Sequence, residues 1–120
     1  MDSKKFHVLS FRYAFEGLTA ALKEEPNLKF HFLMGVLVIM LSLFLQISRE
    51  DWMIIILLIG FVIAVELTNT AIEAVVDHVI QSQHPGAKLA KDISAAAVLV
   101  SSITAAILGI LIFLPYIFKG

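Results

Sequence analysis

The feature that most constrains this chain is the run FHFLMGVLVIMLSLFLQI at residues 30–47, which holds no Asp, Glu, Lys or Arg. A hydrocarbon core of roughly 30 Å needs about 20 apolar residues of helix, so the run reads as a membrane span over about 29–47. Two more spans follow. The second covers about 51–83, starting near Trp52 and meeting no break until His84, Pro85 and Gly86. At 1.5 Å per residue that is ~45 Å of helix, so its C-terminal third should leave the hydrocarbon. The third covers about 88–118 and is again nearly all apolar. Composition points the same way: 59% of residues are hydrophobic and 16% charged, against about 25% charged in a soluble domain. The expectation is an all-α membrane protein, one domain over 1–120.

Basic residues set its orientation. Lys4, Lys5, Arg12, Lys23 and Lys29 precede the first span and Lys88 and Lys91 follow the second, leaving Arg49 and Lys119 on the opposite side. The positive-inside rule then puts the N-terminus and the 78–92 connection in the cytoplasm and the C-terminus outside. Residues from about 6 to 24 form a helix of another kind. Arg12, Glu16, Thr19 and Lys23 make one polar stripe, with Phe11, Phe15, Leu18 and Leu22 opposite, a pattern suited to lying in the membrane interface. It should end near Glu24, because Pro26 disfavours helix at Glu25. Such a helix serves either as an anchor or as one wall of a site. Between the first two spans, Ser48 with Asp51 resembles a capping box, and Trp52 suits the interface.

The second span changes character along its length. At 100° per residue, Glu66, Asn69, Glu73 and Asp77 fall within an arc of about 60°, with Thr70 beside them. Glu66 lies deepest, ~16 Å along the axis from Asp77. An ionisable group at membrane depth costs about 2.5–3.5 kcal/mol even on lenient insertion scales, so the stripe must face protein, a cavity or the interface. A carboxylate near the interface could take a proton from a lipid alcohol. Carboxylates nearer the cytoplasm could hold Mg²⁺ and a nucleotide. The structural alternative is that the stripe caps, hydrogen-bonds and pairs with Lys91 to fix helix packing.

Past the break, Lys91 and Asp92 sit where the third span leaves the interface, and Lys91 either contacts phosphate or snorkels. Ser94, Ala97, Ser101 and Ala105 form a small-residue stripe that permits close helix approach, and Gly35, Gly60 and Gly109 are read as packing residues too. His7, His31, His78 and His84 show none of the zinc spacings and read as structural or hydrogen-bonding, with His31 and His84 beside the proposed site. A net charge of −1 makes nucleic acid an improbable partner. With no cysteine, thiol chemistry is excluded. No cleavable signal is expected in MDSKKFHVLSFRYAFEGL, which lacks an uninterrupted apolar core. Soluble nucleotide-binding and serine-hydrolase motifs are lacking.

The segments ELTNTAIEAVVDHV and AKDISAAAVLVSS together resemble the signature of the prokaryotic diacylglycerol kinase family, small integral-membrane lipid kinases. The likeness extends upstream through FEGLTAALKEEPNLKFH and covers nearly the whole chain. It implies an interfacial helix, three spans per subunit and a homotrimer with composite sites in a bacterial cell membrane. It also implies direct phosphoryl transfer from ATP with Mg²⁺ to a primary lipid alcohol. On matching positions it makes Glu66 the general base and Glu25 and Glu73 the carboxylates that hold Mg²⁺ with ATP. Asn69 and Asp77 would support the site, Lys91 and Asp92 would lie by the nucleotide, and Tyr13 and His84 would lie near ATP. The stretch EEPNLKFH resembles the Gram-positive branch, which implies undecaprenol as acceptor, with diacylglycerol as the alternative. A proton-coupled transporter using Glu66 as carrier is the rival of another class, though it leaves Lys91, Asp92 and Glu25 without a task.

Overall fold

The computed structural model describes residues 3–80 and 84–118, with side chains from residue 10 onward. Four helices follow one another: α1 (Ser3–Glu24), α2 (Pro26–Leu45), α3 (Arg49–Val79) and α4 (Pro85–Phe118). There is no strand among the described residues. Helices α2, α3 and α4 are each long and apolar enough to cross a membrane.

The breaks between helices follow local chemistry. Glu25 is extended, at φ −106° and ψ 108°, and Pro26 opens α2, where its missing N–H costs nothing. α2 ends at Gln46, which adopts the left-handed conformation (φ 52°) so that its N–H and that of Ile47 reach back to Leu43 and Ser42 carbonyls. Ser48 then caps α3, its Oγ accepting from the Asp51 N–H at 3.1 Å. The expected capping box is therefore present in one half. The other half is relayed through α4: the Ser48 N–H donates to Tyr116 Oη at 2.9 Å, and that hydroxyl donates to Asp51 Oδ2 at 2.6 Å. Next to this cap, Ile47, Ile55, Ile112 and Phe113 form the buried core, with Trp52 packed against it.

α1 and α2 each start about three residues earlier than expected, at Ser3 and Pro26, and the two boundaries at the α3–α4 connection also differ. α3 ends at Val79, with Ile80 already extended, rather than continuing toward His84; residues 81–83 and Lys119 lie outside the described residues. α4 starts at Pro85, earlier than residue 88. Pro85 suits the first helical position, and His84 Nδ1 accepts from the Gly86 N–H at 2.9 Å. The break is thus sharp: His84 precedes the helix that Pro85 and Gly86 begin.

On α2 the buried residues are Leu28, Gly35 and Ser42, a strict seven-residue repeat that faces the rest of the chain. A Cβ at Gly35 would meet Ile59 Cγ2 at 3.2 Å, so this glycine does allow close approach. Gly60 and Gly109 have nothing within 4 Å of that position, so neither is a packing residue within one chain. Only 17% of the most apolar window of each spanning helix is buried inside the chain. Lipid or other subunits must cover the rest.

Candidate active site

The polar arc of α3 forms a gradient of burial. Glu66 is 2% exposed, Asn69 and Glu73 are half-buried, and the Asp77 side chain is 55% exposed. The order follows from the helix running out of the apolar bundle while one face stays polar.

Three contacts bind the arc to its neighbours. Asn69 is the hinge of the network: its Nδ2 donates to Glu73 Oε1 at 3.4 Å, and its Oδ1 accepts from Ser94 Oγ of α4 at 2.6 Å. Nearer the α3–α4 connection, Lys91 Nζ meets Asp77 Oδ1 at 2.9 Å. At the deep end, His31 Nε2 of α2 lies 3.0 Å from Glu66 Oε1. This last contact is at hydrogen-bond distance but not in hydrogen-bond alignment, so Oε1 is buried without a hydrogen-bond partner. Thr70 takes no part at the carboxylate, since its hydroxyl donates to the Glu66 carbonyl at 2.9 Å.

The fold thus joins Asn69, Glu73, Asp77 and Lys91 along the α3–α4 seam, with Glu66 at the deep end of the same face. Asp92 pairs instead with Lys88 at 2.6 Å, on the exposed surface of α4. Tyr13 stands exposed on α1, Glu25 is half-buried at the α1–α2 break, and His84 caps α4. Among the described residues no hydrogen bond or ion pair ties Tyr13, Glu25 or His84 to the seam. The α1 polar stripe carries an Arg12–Glu16 pair at 3.1 Å, and Phe11 and Phe15 on its opposite face are exposed.

Two residues of this network are not singled out by sequence. Ser94 reads as small-residue packing, yet it is buried and holds Asn69. Its position one helical turn after Lys91 was the available signal. His31 reads as a structural or hydrogen-bonding histidine near the site, and only the packing of α2 on α3 brings it to Glu66.

An apolar groove of about 280 Å³ runs along the bundle, lined by all three spanning helices. His31 lies at one end and Phe113 at the other, with Met34, Val38, Val62 and Ala106 between them. A carboxylate at the depth of Glu66, beside a groove that could hold a hydrocarbon chain, suits chemistry on the polar head of a lipid.

The family described as prokaryotic diacylglycerol kinase matches residues 12–113. The chain belongs to that family. By family, then, it is a membrane-embedded lipid kinase. Among the relatives, undecaprenol kinase of Bacillus subtilis (strain 168) is 42% identical over 106 residues, covering 88% of this chain and 86% of the relative. The diacylglycerol kinase of a Synechocystis species is 39% identical over 109 residues, covering 90% of this chain and 62% of the relative. Diacylglycerol kinase of Escherichia coli (strain K12) is 33% identical over 95 residues, covering 79% and 78%. The match to the family runs from α1 into the last turns of α4, so the whole polar arc lies inside it.

Among the described residues no group of three or more His, Cys, Asp or Glu is arranged to hold a metal ion by itself. Mg²⁺ bound with a nucleotide typically takes one or two carboxylates and completes its shell with phosphate oxygens and water. The Glu73 carboxylate, held on one oxygen by a single long contact from Asn69, has the donor capacity for that. By the chemistry of its donor, Glu73 could supply one such ligand.

Proposed function

We propose that this protein transfers the γ-phosphoryl group of ATP directly to the hydroxyl of a membrane lipid alcohol, undecaprenol foremost, with Glu66 as general base. The observation that carries the reading is the burial of Glu66 at the deep end of the polar arc, 3.0 Å from His31, which lines the apolar groove. The lipid chain lies along the groove and presents its hydroxyl toward Glu66. The carboxylate takes the hydroxyl proton as the alcohol oxygen bonds to the γ-phosphorus. The bond from that phosphorus to the β,γ-bridging oxygen breaks, and ADP leaves.

Glu73, toward the water-exposed end of the arc, and Glu25, at the α1–α2 break, would hold Mg²⁺ with the triphosphate. When bound, the metal offsets phosphate charge during transfer. Asn69 keeps Glu73 in place, and Lys91 exchanges Asp77 for a phosphate oxygen when nucleotide arrives. Asp77, Asp92, Tyr13 and His84 complete the nucleotide end. Tyr13, Glu25 and His84 join the seam when copies of the chain assemble, which the family resemblance implies is a homotrimer with shared sites. The largely uncovered faces of α2, α3 and α4 leave room for that packing.

Undecaprenol is preferred because the EEPNLKFH stretch follows the Gram-positive form and because the Bacillus subtilis relative carries that name. Diacylglycerol is the alternative, favoured by the names of the other relatives. The distribution of Lys and Arg puts the polar end of the arc in the cytoplasm and the C-terminus outside the cell membrane. The test is purified protein in detergent with radiolabelled ATP, Mg²⁺ and either alcohol. Label in undecaprenyl phosphate at the higher rate is the expected result. No label in either lipid from folded protein would remove the kinase reading.

A further inference from the structure

The geometry points to His31 as a positioning residue for Glu66. During the catalytic cycle its Nε2–H comes into line with Oε1, fixes the plane of the carboxylate and leaves the second oxygen to receive the proton of the lipid hydroxyl. This inference rests on Glu66 being the base.

Four observations carry it. His31 Nε2 is 3.0 Å from Glu66 Oε1, and among the described residues no other charged side chain is paired with that carboxylate. Oε1 is buried with no aligned hydrogen bond, a costly arrangement for a polar atom unless a donor comes into line during the catalytic cycle. The frame that presents the imidazole is closely packed. Leu28, one turn before it, is 0% exposed, and Gly35, one turn after it, sits close against Ile59. These residues share the heptad face of α2, so His31 is directed at α3 by the same packing that holds the two helices together. Finally, His31 lines the apolar groove, so the ring stands where the lipid chain meets the base.

Buried acid–base groups need such a partner. A carboxylate free to rotate spends little time with one oxygen aimed at a bound hydroxyl, and orientation is a large part of what an acid–base group contributes. A neutral imidazole can supply the hydrogen bond without adding charge at membrane depth, provided Nε2 carries the proton.

The experiment measures kcat and KM for ATP and lipid in His31→Phe and His31→Gln, alone and combined with Glu66→Gln, in the detergent-solubilised full chain. Phenylalanine keeps an aromatic ring but donates nothing, whereas the glutamine amide places an N–H close to the position of Nε2. His31→Phe should lower kcat by about 100-fold, the low end of what a positioned acid–base group supplies. Both KM values should stay within about two-fold, since a group acting only in the transition state leaves ground-state binding alone. His31→Gln should recover most of the loss. In the Glu66→Gln background, His31→Phe should have no further effect, because the two act as one unit. Wild-type kcat in His31→Phe would overturn the assignment. So would a His31→Gln variant as slow as the phenylalanine one, or losses that multiply in the double variant. An inactive wild-type protein would instead mark failure of the kinase reading itself.

Discussion

Replacing Glu66 by glutamine separates base catalysis from nucleotide binding, and the structure sets the size of each effect. The side chains are nearly the same size, so the change opens no cavity at a position that is 2% exposed. Loss of a positioned general base costs about 10²- to 10⁴-fold in turnover, or roughly 2.7–5.4 kcal/mol of barrier. The effect at the metal end is smaller. Seven residues of helix put Glu66 ~10 Å from Glu73 along the axis. Two unit charges at that separation interact by about 1.6 kcal/mol at an effective dielectric of 20 and by about 0.4 kcal/mol in water. Mg²⁺–ATP affinity should therefore shift by no more than about 15-fold, while kcat falls by at least 10²-fold. Transfer of label from radiolabelled ATP into lipid gives kcat, and equilibrium binding of a fluorescent ATP analogue gives affinity in the same detergent. Turnover within ten-fold of wild type would refute the base assignment. Loss of nucleotide binding would refute the separation of Glu66 from the metal end.

Other expectations follow from the same contacts. Glu73→Gln should raise the Mg²⁺ concentration needed for half-maximal turnover by about ten-fold or more, one carboxylate ligand being lost; an unchanged Mg²⁺ titration would count against metal binding there. Lys91→Ala removes a largely exposed pair with Asp77, so stability should change by no more than about 1 kcal/mol while KM for ATP rises several-fold. An unaltered KM would return Lys91 to a packing role. Tyr116→Phe removes the hydroxyl that links the Ser48 N–H to Asp51, and should destabilise the protein by about 1–3 kcal/mol in detergent unfolding without changing kcat. A variant as stable as wild type would mean that water replaces the hydroxyl.

Much of the plan is legible in the order of residues. The 30–47 run needs no partner to declare itself a span, because an uncharged apolar stretch of that length is costly in water. Pro26 stops one helix and starts another through its own ring geometry, and Ser48 caps α3 with an atom only three residues from its partner. The boundaries at Val79 and Pro85 were less legible, since residues 80–84 hold no proline or glycine to mark where the backbone turns extended.

What the sequence determined by itself is the polar arc. Helical geometry places Glu66, Asn69, Glu73 and Asp77 on one face whatever the helix packs against, and the emergence of α3 from the apolar bundle orders them by depth. What only the tertiary structure decided is which groups meet them. His31 reaches Glu66 from α2, Ser94 reaches Asn69 from α4, and Lys91 crosses to Asp77. Each of these meetings depends on helix register and rotation, which are set by apolar packing elsewhere: the Leu28–Gly35–Ser42 face of α2 and the Ile55–Phe113 core beside the Ser48 cap. Local rules carry no information about that register, and so the carboxylates and Lys91 were visible in the sequence while the roles of His31 and Ser94 were not.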